Sequence, residues 1–295
     1  MIMKRSENLI GHENIYNELV HLYNNNSLPN KILLTGQNGI GKSLLVDKFL
    51  NYVYKESINN NVENLIESNS HPNIYKIVKK KSKKNIDIDQ IRLMMHFQNH
   101  SSFNDKEKFV IIKDIENLNI NSANALLKSI EEPSRNLFFL LINNSGYKIP
   151  NTIKSRCLEF KLYLSLDDVK KIVNDFFNQD IYSTICKDYI NYYNTPSFLI
   201  SLIQYFKESE NDISNFGINE FMQNIIKNKQ YLTSDFIKEN LNIFIELFFY
   251  KNINNTKNIS YKIKNYFYFK LSKIKRYNLD LETFFLEFED KLLSE

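Results

Sequence analysis

Tryptophan is absent from this 295-residue chain, and cysteine, proline and glycine are scarce, at 2, 5 and 6 residues. Two cysteines, Cys157 and Cys186, are too few for a disulfide framework or a four-cysteine zinc site, so no zinc is expected. No apolar run approaches the length needed to cross a bilayer, and the longest, Leu137 to Ile142, suits a buried strand. The opening Met1-Ile2-Met3-Lys4-Arg5 lacks the apolar stretch of a secretion signal. These absences point away from membrane and secreted proteins and toward a reducing cytoplasm. With so few glycines, each one that is present is informative about the backbone around it.

The length suits two or three domains, and hydrophobic and charged fractions of 43% and 24% are those of an ordinary globular protein. The net charge of +4 is well short of a dedicated nucleic-acid binder. The densest basic cluster, Lys79-Lys80-Lys81-Ser82-Lys83-Lys84, reads first as a solvated loop and second as a contact for a DNA backbone or an acidic partner.

Strand and helix patterns alternate through the first half, which predicts a parallel sheet with flanking helices. Lys31 to Leu34, Phe109 to Ile112 and Leu137 to Ile142 read as buried strands, and Leu158 to Leu162 alternates as an edge strand would. Asn121 to Glu131 reads as a helix stopped by Pro133. Ser165 with Asp168 makes a helix cap, and no strand pattern follows it. We therefore expect an α/β nucleotide-binding module over residues 1–163, a small helical lid over 164–206 and an all-α collar over 207–295. In the last part Ile237, Leu241, Phe244 and Phe248 share one helix face, and Leu281, Phe284, Phe285, Phe288 and Leu292 share another. These stripes are expected to form the core of a helix bundle first, and an oligomer interface only second.

The segment Gly36-Gln37-Asn38-Gly39-Ile40-Gly41-Lys42-Ser43 fits G-x-x-x-x-G-K-[ST] between a strand and a helix. Glycines at this spacing let successive N–H groups face phosphate oxygens, and the following helix adds its positive end. In such a loop Lys42 reaches the β- and γ-phosphates of ATP and Ser43 holds Mg²⁺. A bare glycine turn is the plain alternative, and a loop that binds nucleotide weakly or not at all is a third. Hydrolysis also needs acids after the next strand, on magnesium and on the attacking water. Here that stretch is Lys113-Asp114-Ile115-Glu116, in which Asp114 is a degenerate candidate and Glu116 is displaced.

The run Asn124-Ala125-Leu126-Leu127-Lys128-Ser129-Ile130-Glu131-Glu132-Pro133 resembles the N-A-L-L-K-x-x-E-E-P hallmark of bacterial clamp-loader AAA+ subunits. Ile149 to Cys157 is similar to that family's L-P-x-T-I-x-S-R-C segment. Ile10-Gly11-His12-Glu13, Ser70-His71-Pro72-Asn73 and Ile86 to Arg92 match further landmarks, with a looser echo at Tyr277-Asn278-Leu279-Asp280. The resemblance implies an AAA+ fold and a place in a DNA polymerase III clamp loader. Its implied partners are the gamma/tau and delta subunits, the sliding clamp, and primed DNA through the assembly. It also implies that Arg156 acts in trans on a neighbouring ATP site, and that Asn143, beside Asn144, lies where the family senses the γ-phosphate. Lys113 falls where motor subunits carry their magnesium aspartate, Asp114 where they carry the catalytic glutamate, and Phe198 where they present an arginine. The family's common cysteine-rich zinc module is missing between Lys48 and His71. These departures favour the delta-prime type, with little or no ATPase activity of its own, over an active gamma/tau-type ATPase. A P-loop nucleotide kinase, the reading from another class, needs an arginine-rich lid that the sequence does not show.

Overall fold

The structure, a computed structural model, describes residues 9–55, 62–80, 83, 85–131, 136–146, 148–191, 194–209, 212–253, 260–277 and 279–293. Glu132 and Pro133 of the hallmark segment lie outside these residues, as do Lys81, Ser82 and Lys84 of the lysine run and Asn278. The chain divides into two compact units, Met1–Ile172 and Val173–Glu295.

The first unit is built on strands β1 (Lys31–Gly36), β2 (Ile74–Ile77), β3 (Lys108–Ile112), β4 (Leu137–Asn144) and β5 (Leu158–Lys161). They form one sheet in the order β2-β3-β4-β1-β5, and every pairing is parallel. Helices cover both faces, so the inner strands read as near-continuous apolar runs. Alternate residues serve the two faces. Ile32, Leu34, Phe109, Ile111, Leu140 and Ile142 join one core, packed with helices α1 (Glu13–Asn24), α2 (Lys42–Tyr54) and α3 (Val62–Glu67). Leu33, Val110, Ile112, Phe139 and Leu141 join the other, with helices α4 (Ile88–Asn99) and α5 (Ile120–Glu131). The short helix α6 (Asn151–Lys154) adds Ile153 to this second core.

Four of the strands match the sequence reading, including β5 at the edge. The fifth, β2, escapes it because only four residues are extended and one of them is Lys76. That lysine is nearly buried, and its charge is met by Asp47 at 3.0 Å and the Ile66 carbonyl at 2.7 Å.

After β5 the described residues contain helices and no further strand. Helix α7 (Leu166–Phe177) opens on the expected cap, in which the Asp168 backbone N–H donates to Ser165 Oγ while Asp168 accepts from the Ser165 N–H and hydroxyl. Helices α8 (Pro196–Glu208), α9 (Ile218–Lys227), α10 (Gln230–Thr233), α11 (Asp235–Asn252), α12 (Tyr261–Tyr277) and α13 (Glu282–Leu292) follow. Thr195 and Ser234 cap α8 and α11 by accepting the N–H three residues on. The bundle core is aromatic: the Phe221 ring lies within 6.5 Å, centroid to centroid, of Tyr189, Tyr205, Phe206, Phe216 and Phe244. The expected stripe of Ile237, Leu241, Phe244 and Phe248 is buried in it.

Candidate functional site

Parallel strands bring all their C-terminal ends to one edge of a sheet, and loops leaving that edge share a crevice. Here the ends of β1, β4 and β3 are neighbours in that order. Register pairs Gly36, the last residue of β1, with Asn144, the last residue of β4. Asn144 therefore stands between the glycine loop and the acids that follow β3.

The loop is shaped by its glycines. A Cβ at Gly36 would lie 2.5 Å from Ile40 Cδ1 and 2.7 Å from the Leu162 carbonyl, so only glycine fits without moving the loop. Gly41 turns the chain into α2 at φ +100°, a conformation that side chains disfavour. His12, from the segment before α1, donates from Nε2 to the Ile40 carbonyl at 2.7 Å. Burial lowers its pKa and keeps the ring neutral, so this one bond fastens the loop to the body of the unit without introducing charge.

Lys42 is buried, and its ammonium donates three hydrogen bonds: to the Gly36 carbonyl (2.7 Å), the Gln37 carbonyl (2.5 Å) and Asn144 Oδ1 (2.9 Å). An ammonium has three protons, so this chain satisfies all of them itself. Burial pulls the lysine's pKa down to about 8, against the opposing pull of Glu116 and Asp114. The Asn144 amide completes a relay. Its Nδ2 donates to Asp114 Oδ1 at 2.8 Å and to Glu116 Oε1 at 2.6 Å, and its backbone N–H donates to Glu116 Oε2 at 3.2 Å. Asp114 takes up the left-handed region at φ 55°, which ends β3 and starts the short turn Ile115–Asn117 carrying Glu116.

The structure thus gathers Gly36, Lys42, Asp114 and Asn144 into one cluster. Gln37 contributes a carbonyl, Asn38 is exposed, and Gly39, with positive φ, and Ile40 complete the turn. Ser43 is half-buried at the second position of α2. Asn143 lies apart from the cluster's hydrogen bonds. It is buried, and its Oδ1 meets no donor among the described residues. Three participants were not singled out from sequence: Asn144 as the bridging asparagine, Glu116 as more than a solvated acid, and His12 as the loop's tether. No local signal marks them, because each role depends on a partner distant in sequence.

Arg156 is elsewhere. It follows α6, with its side chain 38% exposed and ion-paired to Glu131 at 2.8 Å. The guanidinium also donates to the Thr152 carbonyl at 3.0 Å and weakly to Ser155 Oγ. It shares no hydrogen bond or ion pair with the glycine loop. Cys157 beside it packs on the second core, and burial raises its thiol pKa to about 11. His71 accepts from the Asn73 N–H at 3.2 Å and stacks on Tyr54, a local role. Phe198 is buried in the bundle against Phe236 and Phe244.

Residues 11–165 match the family described as DNA polymerase III, delta subunit. A DNA polymerase III subunit delta' of Buchnera aphidicola subsp. Baizongia pistaciae is 26% identical over 249 residues, 75% of this chain and 73% of that protein. Its counterpart in Pseudomonas aeruginosa is 36% identical over 95 residues, 32% of this chain and 29% of that protein, so this match spans less than a third of the relative's length. A solved structure of a DNA polymerase III gamma subunit-related protein from Thermotoga maritima superposes over 94% of this chain and 96% of that one. Its TM-score of 0.54 at 18% identity is a likeness of fold.

Proposed function

The chain belongs to the DNA polymerase III delta-subunit family, and from that premise we propose that it acts as a delta-prime-type clamp-loader subunit, giving an arginine to a neighbour's ATP site while hydrolysing little ATP itself. Its partners in this reading are gamma/tau and delta subunits, the sliding clamp, and primed DNA reached through the assembly.

The observation that carries the reading is the contrast between Lys42 and Arg156. Lys42, the cation that should meet phosphate, has all its donors engaged within its own chain. Arg156 has part of its fork open to solvent and is held in place by Glu131. A planar guanidinium can spread charge over γ-phosphoryl oxygens as negative charge develops there, so an exposed and oriented arginine suits action across a subunit boundary. Lys113 at the head of the acid segment sets a positive charge where a magnesium-binding acid is needed, and Asp114 is occupied by Asn144.

The intact turn from Gly36 to Ser43 favours a second reading, in which the chain binds ATP·Mg²⁺, with Ser43 on the metal and Asn143 or Asn144 near the γ-phosphate, and works as a gamma/tau-type motor. A reconstituted loader separates the two. Arg156→Ala is expected to leave assembly intact and to lower DNA-stimulated ATP hydrolysis and clamp loading by about a hundredfold or more at the site it serves. Lys42→Ala in the same assembly is expected to do less. If Lys42→Ala stops loading while Arg156→Ala does not, the motor reading is the correct one.

A further inference from the structure

Helix α12 is unlike the other helices of the second unit. Its seventeen residues, Tyr-Lys-Ile-Lys-Asn-Tyr-Phe-Tyr-Phe-Lys-Leu-Ser-Lys-Ile-Lys-Arg-Tyr, hold six lysines or arginines and no acid. Its apolar side is accounted for, since Phe267, Leu271 and Ile274 are buried in the bundle. The opposite side is exposed. Lys262, Phe269 and Arg276 are seven apart, two turns each, and so stand in one line along the helix. Phe269 at the centre of that line is 60% exposed, and Tyr261 and Tyr277 near its ends are 69% and 62% exposed. Lys273 joins the same face and sets its ammonium 4.4 Å from the Phe269 ring centroid, while Arg276 lies 5.7 Å from that of Tyr277.

The neighbouring carboxylate does not neutralise this line. Glu287 of α13 is taken by Lys270, Lys291 and the Tyr266 hydroxyl, which hold its pKa down to about 2. Among the described residues, Lys262, Lys273 and Arg276 form no ion pair.

We propose that the exposed face of α12 binds single-stranded nucleic acid, with Phe269 as a platform for a base and Lys262, Lys273 and Arg276 on the phosphates. Cations alone would suit any polyanion. The exposed ring on the same line as the cations distinguishes this face, because bases stack on aromatic side chains and phosphates pair with the charges beside them. From Lys262 to Arg276 the face is roughly 21 Å long at about 1.5 Å per residue, enough for several nucleotides. A membrane surface fits less well, because the helix's continuous apolar side is already buried and the exposed rings are separated by charges and by Asn265 and Ser272. The Lys273 contact with Phe269 is weak on so exposed a ring and yields readily to a stacked base.

The inference is independent of the role proposed for Arg156 and is tested without ATP. Full-length protein is titrated against a fluorescent oligo-dT of about 20 nucleotides, a duplex of equal length, and vesicles containing phosphatidylserine. The expected result is preferential binding of the oligo-dT, with log affinity falling against log salt at a slope of about −2 for three neutralised phosphates. The triple variant Lys262→Gln/Lys273→Gln/Arg276→Gln is expected to flatten that slope. Phe269→Ala is expected to weaken binding about tenfold at fixed salt, as loss of one stacked base does. Absence of oligo-dT binding, tighter binding to vesicles or duplex, or indifference to both variants would overturn the proposal. So would a photoreactive phenylalanine analogue at position 269 that, in the assembled loader, crosslinks only to another subunit when oligo-dT is present.

Discussion

The two units solve burial in opposite ways. Among the described residues, the sheet-built unit buries His12, Lys42, Asp47, His71, Asn73, Lys108, Ser122, Ser129, Asn143 and Asn144, whereas the helical unit buries only Asn194, Thr195 and Asn252 and fills its interior with phenylalanine and tyrosine. A buried polar group costs free energy unless it is bonded, so it persists where the bond does something that packing does not. In the first unit two of those groups, Lys42 and Asn144, join Asp114 and Glu116 in a relay at the strand ends. In the second, the polar chemistry lies outside, on α12. The first unit adds a polar site to its two apolar cores, while the second is built on an aromatic core.

Truncation in the aromatic core should give the largest effect. Phe221→Ala removes a ring at the centre of five aromatic contacts. It should destabilise the helical unit by about 3–5 kcal/mol in urea unfolding followed by near-ultraviolet dichroism. A loss under about 1 kcal/mol would mean the interior is not packed as described.

Asn144→Leu comes next and sharpens the contrast within one strand. It strands Lys42 and two carboxylates and should cost about 1–3 kcal/mol, whereas Asn143→Leu, which removes an amide oxygen already lacking a donor, should cost much less or nothing. Equal losses would show that the relay contributes nothing beyond burial.

A pH series addresses the lysine itself. Lys42 is held near 8 in the folded protein against an ordinary 10.5, so between those values the unfolded chain binds more protons than the folded one. Stability of the wild type should therefore rise with pH through that window relative to Lys42→Met, and the two curves should run parallel below it. A wild-type curve that falls through the window relative to the variant would contradict the burial of Lys42.

Glu131→Gln should move stability least. Glu131 and Arg156 are both more than a third exposed, and such pairs contribute about 0–1 kcal/mol. The change should show instead in the reconstituted assembly, as slower ATP hydrolysis from a less well oriented Arg156. A drop in stability with no kinetic change would reverse the roles given to the two residues.

Much of this was legible beforehand, and unevenly. Apolar runs disclose buried parallel strands directly, so β1, β3 and β4 were plain, and the glycine spacing disclosed the loop. Capping chemistry at Ser165 and Asp168 marked the first helix after the sheet. What escaped was chemistry that depends on partners distant in sequence. Lys76 looks unfit for a strand until Asp47, twenty-nine residues away, is beside it. Glu116 looks like a solvated acid until Asn144 is beside it. Nor does the sequence say which of two adjacent asparagines meets the lysine, because that choice rests on strand register.

Register has a consequence for how the site endures. Adjacent residues of β4 face opposite sides of the sheet, so which asparagine meets Lys42 is set upstream, by where Phe139, Leu140, Leu141 and Ile142 lodge in the two oily layers. The strand works as a ruler whose markings are hydrocarbon, and the reading falls at its tip. Substitutions at the tip would therefore change the polar chemistry there while the two apolar layers keep the end of the strand in the same place.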